Sequence, residues 1–330
     1  MTLPKRKIGA RDVTAIGFGA MSFAGFFGPA DDDVSMQTMS DLIDTGIDFW
    51  DTANIYGMGR SERLIGQFFA ANPHASKDVF LATKAGIIPG PPRAFNNSED
   101  YLRAELDASL QRLNRDHVEL YYIHRRDQNT PIETLAETMG KLIDEGLIGG
   151  WGLSEVSPTT IRRAHAITPV MAVQNEYSLW TRQPELGVLR TCAELGITFV
   201  PFSPLARGIL SDVDLTPATF EAHDFRKHNP RFIAPNFDDN MPHIRAFRTL
   251  AASWGMTAAG LAMAWVLARG DHLIPIPGTR TGAHMRDWLP AMTTALTPAQ
   301  LAQIDATLPA GWAFGDRYSD EQRPGVEYFA

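Results

Sequence analysis

Short apolar runs rich in Phe, Ile, Val and Trp alternate along the chain with longer stretches in which apolar residues recur every three or four positions. The short runs predict strands at about residues 16–21, 47–50, 79–83, 118–123, 149–153, 171–174, 197–202 and 273–276. The longer stretches predict the helices between them. SEDYLRAELDASLQRLN has helical spacing, PIETLAETMGKLIDEG carries Pro at its start and Gly at its end, and SPTTIRRAHAI follows the same logic. A short hairpin is expected ahead of the first strand.

Eight strand–helix units in succession favour one closed α/β barrel of the (β/α)8 (TIM) type, spanning residues 1–330 as a single domain, over an open doubly wound sheet. An open dinucleotide-binding sheet would want GxGxxG after its first strand, and GFGAMS and GMGRSE both break that pattern. The polar stretch from Gly208 to Asn240, rich in Pro, Asp and Asn, is expected to be a long lid loop after the seventh strand.

In such a barrel the residues at the C-terminal ends of the strands share one mouth. The exits carry Asp51 and Tyr56 after the second strand, Lys84 after the third and His124 after the fourth. Ser154 and Glu155 follow the fifth, Gln174 and Asn175 the sixth, and Ser203 the seventh.

Composition narrows the partners. The net charge is −8 and the 30 Lys and Arg are dispersed, so no basic face is expected for nucleic acid or an anionic membrane. Cys192 is the sole cysteine, which excludes an internal disulfide and a multi-thiolate metal site; no metal is expected, and a reducing, cytoplasmic setting is. The apolar run at 256–268 is too short to span a bilayer and predicts a buried helix. The segment KRKIGARD followed by VTAIGFGAMSFAGFFGPA imitates a secretory signal, but Asp12 and five glycines suit a hairpin, a strand and an aromatic loop better.

A phenol is a weak acid, with a reference pKa of ~10, unless a cation stabilises its phenolate. Lys84 can be that cation for Tyr56, and Asp51 can keep the ammonium charged and aimed. His124 can hold a carbonyl oxygen. The set suits protonation of an oxygen while hydride arrives at the adjacent carbon. Each residue also has a plainer use: Asp51 as a loop cap, Tyr56 as a rim aromatic, Lys84 in solvent, His124 in the core. Four such accidents on adjacent strand exits make a weaker account than one site.

The stretches DFWDTANIYGMGRSERLIG, LATKAG, ELYYIHRRD, GLSE, VQNEYSLWTR, PFSPLARG and IPIPGTRTGAHMRDW resemble, in order, motifs of the aldo-keto reductase family. HRRDQNTPIETLAETMGKLIDEG, SLWTR and DFRKHNPRF are most similar to its branch of perakine reductase and related bacterial oxidoreductases. The resemblance implies a (β/α) barrel, a nicotinamide cofactor held without a Rossmann domain, and reversible reduction of aldehydes or ketones. It places the catalytic tetrad on Asp51, Tyr56, Lys84 and His124. It implies that Ser154 and Gln174 bind the nicotinamide carboxamide, with Phe202 stacking on the ring. Ser203, Leu205, Arg207 and Gly208 would follow the pyrophosphate under the lid, with Gly278 in the same cofactor set, and Arg280 and His284 would take a 2′-phosphate.

Three departures from the family pattern stand out. Phe202 replaces a frequent tyrosine, Ala206 a frequent glycine, and Asp287 and Trp288 stand where Glu-Asn commonly holds the adenine amine. NADP (NADPH) is the expected cofactor because a guanidinium at Arg280 suits a phosphomonoester, while Trp288 keeps NAD open.

The substrate is expected at the mouth loops, on a partly aromatic rim of Phe23, Phe26, Phe27, Met58 and Trp180. A bulky or ring-bearing carbonyl suits that rim, and so does a sugar, whose hydroxyls Arg125, Arg126 and Asp127 could meet. The partner is thus a small-molecule carbonyl or alcohol; the oligomeric state is open. Two other functions stay in view: a non-catalytic nicotinamide-sensing subunit, disfavoured because the chain starts at the hairpin, and an aldolase using Lys84 as a Schiff-base nucleophile.

Overall fold

The computed structural model describes residues 3–90 and 92–330. Strands β1 (Lys5–Ile8) and β2 (Arg11–Thr14) form an antiparallel hairpin that turns at Gly9, where φ is 57°. The wall strands are β3 (Phe18–Gly19), β4 (Phe49–Asp51) and β5 (Phe80–Ala85), then, beyond a small hairpin of β6 (Ile87–Ile88) and β7 (Ala94–Phe95), β8 (Leu120–Ile123), β9 (Trp151–Ser154), β10 (Ala172–Gln174) and β11 (Thr198–Phe199). The seven wall strands are all parallel, in the order β11-β10-β9-β8-β5-β4-β3.

The eighth expected strand, 273–276, closes the wall through isolated bridges instead of a continuous ladder. Ile274 and Ile276 donate to Phe199 and Pro201 at 2.9 and 3.0 Å, while the carbonyls of Pro275 and Pro277 accept from Gly17 and Gly19 at 2.9 and 3.2 Å. The two prolines have no N–H to return toward β3, so that seam holds only half of its bonds. The barrel is nonetheless closed.

Helices α1 (Asp32–Thr45), α2 (Arg60–Ala71), α3 (Pro73–Asp78), α4 (Glu99–Leu113), α5 (Ile132–Asp144), α6 (Pro158–Ile167) and α7 (Val188–Leu195) cover the outside, followed by α8 (Asn236–Ser253), α9 (Ala258–Leu267), α10 (Met285–Trp288) and α11 (Pro298–Thr307). Helix α4 starts because Ser98 accepts from the Tyr101 N–H and stops where Asn114 takes a left-handed φ of 54°. Helix α9, the predicted buried helix, has every residue buried. Among the described residues no single helix is long and apolar enough to cross a membrane.

The lid stretch is shorter than expected, since Asn236–Asn240 form the first turn of α8 with Asp238 and Asp239 at its positive end. The rest, 208–235, runs through short 3-10 turns and reaches the loop after β3, where Phe225 N–H donates to the Phe26 carbonyl at 3.0 Å. It therefore bridges the mouth.

Two cores follow from strand alternation. Outward side chains of the wall join the helices, and a separate inner cluster holds Phe49, Phe80, Ala82, Leu120, Tyr122, Ala172, Val200 and Ile274. Ile8 and Val13 of the hairpin belong to the inner cluster and so plug the bottom of the barrel. Gly152 makes room for this filling: a β-carbon there would lie 2.5 Å from the Tyr122 ring and 2.6 Å from the Ala172 carbonyl.

Candidate active site

The period of two that fills the barrel also builds its top layer. Asp51 is in phase with Phe49, Lys84 with Phe80 and Ala82, His124 with Leu120 and Tyr122, Ser154 with Gly152, and Gln174 with Ala172. All five point inward and all five are buried. Polar groups at the last inward position of each strand are what the pattern leaves for chemistry.

Lys84 is fully buried and Asp51 is 2% exposed. The Lys84 ammonium donates to Asp51 Oδ1 and, at 2.8 Å, to the Thr52 carbonyl, while Gln174 Nε2 donates to Asp51 Oδ2 at 2.8 Å. Burial pushes the Asp51 carboxyl up, and Lys84 and Gln174 pull it back. Lys84 Nζ lies 5.2 Å from the centre of the Tyr56 ring, and that ring meets the His124 ring edge-on at 5.7 Å and Phe26 at 5.9 Å. The four tetrad residues thus form one cluster.

Two titrations decide what the cluster can do. Burial raises the Tyr56 phenol above 10 despite the opposing pull of Lys84, so in the free protein it is a protonated donor at neutral pH. The expected lowering by Lys84 is present, but desolvation is the larger effect. His124 is held well below 6.5 by burial, then by Arg125, Lys84 and Arg93, so its imidazole is neutral. Its Nδ1 is buried with no hydrogen-bond partner.

A cavity of about 520 Å³ opens above the cluster. Asp51, Tyr56, His124, Ser154 and Gln174 lie in its wall, and Lys84 sits behind Asp51. The expected cofactor segment lines the same cavity: Phe202, Ser203, Leu205, Arg207 and Gly208 on one side, Gly278, Arg280 and His284 on the other. Ser203, Ala206 and Arg207 have φ of 50°, 49° and 59°, the left-handed region that a glycine at 206 would adopt without strain. These left-handed turns curve the segment into a concave stretch of the cavity wall, where backbone N–H groups not spent within the turns can meet an anion. Arg207 pairs with Glu176 at 3.0 Å and Arg226 with Asp224 at 2.6 Å, whereas the exposed Arg280 has no side-chain partner among the described residues. These residues fit a dinucleotide carrying phosphates.

Several expected contacts are not made. Trp288 is 1% exposed on the inward face of α10 with Met285, in the outer core, so it offers no face to an adenine. Asp287 points outward and lies outside the cavity wall. Of the aromatic rim, Phe26 and Phe27 line the cavity, but Phe23 is buried against Phe18 at 5.2 Å. Trp180 is stacked on Trp312 at 5.9 Å and touches Phe232 at 5.4 Å, so it supports the lid from beneath. Met58 is exposed in the turn before α2 and faces away. Arg126 is tied to Glu327 at 2.9 Å and Asp127 caps its own turn at Asn129, which leaves Arg125 as the member of that trio in the wall. Glu155 and Asn175 build the loops: Asn175 Oδ1 accepts from Glu155 N–H at 2.8 Å, and Arg317 pairs with the Glu155 carboxylate at 2.5 Å.

Other lining residues were not anticipated. Ile87, Ile88, Pro89, Gly90 and Arg93 come from the β6–β7 hairpin, and Tyr318 from the C-terminal segment, whose burial raises its phenol to about 12. The run AGIIPG, apolar residues just past a strand exit, was a readable signal for the hairpin. Tyr318 gave none, because its place depends on the whole tail packing back over Glu155.

The pattern of the Aldo/keto reductase family matches residues 15–309. The aldo-keto reductase yakc [NADP(+)] of Schizosaccharomyces pombe is 38% identical over 324 residues, covering 96% of this chain and 95% of its own. The aldo-keto reductase str7 of Strobilurus tenacellus is 36% identical, covering 96% and 95%. Among solved structures, a glycerol dehydrogenase of Gluconobacter oxydans superposes with a TM-score of 0.84 at 26% identity, covering 93% of this chain and 96% of that one. A Bacillus halodurans aldo-keto reductase in its holo form gives 0.78 at 24%, covering 94% and 97%, a likeness of fold.

Proposed function

Because the chain belongs to the aldo/keto reductase family, whose members are oxidoreductases acting on carbonyl and alcohol groups, we propose that it reduces an aldehyde or ketone reversibly, with NADPH as cofactor and Tyr56 as the general acid. The observation that carries this reading is the buried Lys84–Asp51 pair beneath a protonated Tyr56, with a neutral His124 beside it.

NADPH, when bound, supplies the hydride. Ser154 and Gln174 are the groups for its carboxamide: Ser154 Oγ accepts from Arg125 Nη1 at 3.0 Å and keeps its O–H free to donate, and Gln174 keeps its carbonyl oxygen free to accept. Phe202 offers an aromatic face, the concavity at 203–208 suits the pyrophosphate, and Arg280 with His284 suits a 2′-phosphate. The NADP(+) in the name of the yeast relative supports the same choice.

Tyr56 Oη gives its proton to the substrate oxygen as negative charge develops there. Lys84 stabilises the phenolate left behind, and Asp51 holds the ammonium on station through a geometry that Gln174 and the Thr52 carbonyl fix from the other side. His124 donates a hydrogen bond to the same oxygen, and its neutral state keeps it from competing as the acid. The 208–235 segment, bonded to Phe26, screens the reacting atoms from water.

The aldolase reading is disfavoured by Lys84 itself: its Nζ is fully buried and held by Asp51 and the Thr52 carbonyl, so it cannot reach a carbonyl without breaking both bonds. Titration with NADPH, followed by protein fluorescence, together with loss of NADPH absorbance over aldehydes, ketones and keto-sugars, tests the proposal. Saturable binding and turnover of some member are expected. Absence of NADPH binding, or borohydride trapping of substrate on Lys84, would overturn it.

A further inference from the structure

The charges around the cavity do not balance. Arg207 and Arg226 each face a carboxylate, and Lys84 faces Asp51, but Arg93 and Arg125 have no carboxylate within ion-pair distance among the described residues. Arg125 is 6% exposed. Its Nη1 donates to the His124 carbonyl at 2.7 Å and to Ser154 Oγ at 3.0 Å, while its Nε is buried with no partner. Arg93 donates from Nη1 to the Gln322 carbonyl at 2.9 Å and lies over Phe95.

Among the described residues no carboxylate is left to neutralise this pair. The nearby carboxylate, Glu155, is spent on both Nη groups of Arg317 and on the Glu176 N–H at 2.7 Å. Arg93 and Arg125 oppose each other, and burial and that repulsion lower Arg93 to about 10, which still leaves it cationic at neutral pH. Two guanidinium groups held partly out of water without a counter-ion are costly unless a ligand brings one. The cavity wall also carries the apolar Phe26, Ile87 and Ile88, and the Tyr318 phenol lies beside the two arginines. A planar fork of N–H donors beside apolar walls selects an oxyanion on an apolar body.

We propose that the carbonyl substrate carries an anionic group, a carboxylate or a phosphate monoester, and that Arg93 and Arg125 bind it beside Tyr56 and His124. This rests on the reductase reading above. It narrows the substrate from any bulky carbonyl to an oxo-acid or a phosphorylated aldehyde or ketone with an apolar body.

Three aldehydes of one shape test it: para-formylbenzoate, its methyl ester and para-formylphenyl phosphate. At least one anion is expected to exceed the ester in kcat/KM by roughly 10- to 100-fold, the range for a charge-assisted hydrogen bond. The better anion identifies the source. Arg93→Met and Arg125→Met should each shrink the anion-to-ester ratio, chiefly through KM, and Arg93→Lys should restore part of it. Because Arg125 also holds Ser154, the ratio between substrates, not the absolute rate, is the readout. Calorimetric titration of the same compounds into the protein with NADP+ decides the anion subsite even without turnover. Turnover of the ester with no preference for either anion overturns this inference and leaves the reductase reading standing. Failure to reduce any of the three, with anion binding that the arginine variants abolish, counts against the reductase reading and supports the subsite.

Discussion

Replacing Asp51 by Asn removes one charge of a pair that has almost no access to water, with Lys84 at 0% and Asp51 at 2% exposure. Asn keeps the shape and still accepts from Gln174, so the perturbation is confined to the ion pair. Removing one partner of a buried pair costs about 3–5 kcal/mol, because the other charge stays behind uncompensated. For 330 residues the unfolding entropy is about 0.7 kcal/mol per kelvin, from roughly 2.1 cal/mol/K per residue. The melting temperature should therefore fall by about 4–7 °C. Adding Lys84→Met removes the orphaned ammonium and should recover at least half of that loss, about 2 kcal/mol, so that the double variant loses less than the two single variants combined. Calorimetric unfolding of the two single variants and the double variant measures this. A shift below about 1 °C in Asp51→Asn, or a double variant whose loss is the sum of the singles, would refute the claim that the pair acts as one buried unit.

Three further outcomes are expected. His124 has a folded pKa well below its ordinary 6.5, so below 6.5 the unfolded chain binds a proton that the folded chain does not. Stability should fall as pH drops through that window by up to about 1.4 kcal/mol per pH unit, and urea titrations of His124→Gln should show a shallower slope than the parent. Gly152→Ala puts a methyl group against the Tyr122 ring and a backbone carbonyl, and should cost about 3 kcal/mol in urea unfolding; a loss below about 0.5 would mean the barrel interior yields easily. Arg280→Ala should weaken NADPH by about tenfold or more while leaving NADH nearly unchanged, measured as dissociation constants; equal effects would remove Arg280 from the phosphate site.

The meeting of Asp51, Lys84 and His124 was legible because strand alternation is a strict code: once Phe49, Phe80 and Leu120 fill a barrel, those three have one place to go, whereas Tyr56 reaches them from the turn before α2. The eight-unit rhythm led to the barrel, yet the bridges at 273–278 depend on two prolines whose effect on pairing needs the neighbouring strand to be seen. Loop aromatics carry no such code. Phe23, Phe26 and Phe27 lie within five positions, yet the first enters the core and the other two face the cavity, a difference set by the 3-10 turn at Ala20–Ala24. Trp180 and Trp288 read as ligand-facing because indoles suit ring stacking, and both are taken up by packing with residues distant in sequence. Arg93 and Tyr318 were unreadable for the opposite reason, since they come from a small hairpin and a tail that converge only in the folded molecule.

The central claim is that Tyr56 delivers the proton. It is tested most directly by kcat for Tyr56→Phe on a carbonyl that the parent reduces, with NADPH affinity measured on the same sample. The account predicts a fall of about 10²- to 10⁴-fold in kcat, with NADPH binding retained because the phenol is not among the groups proposed to hold the cofactor. A variant that binds NADPH and turns over within about threefold of the parent would contradict it.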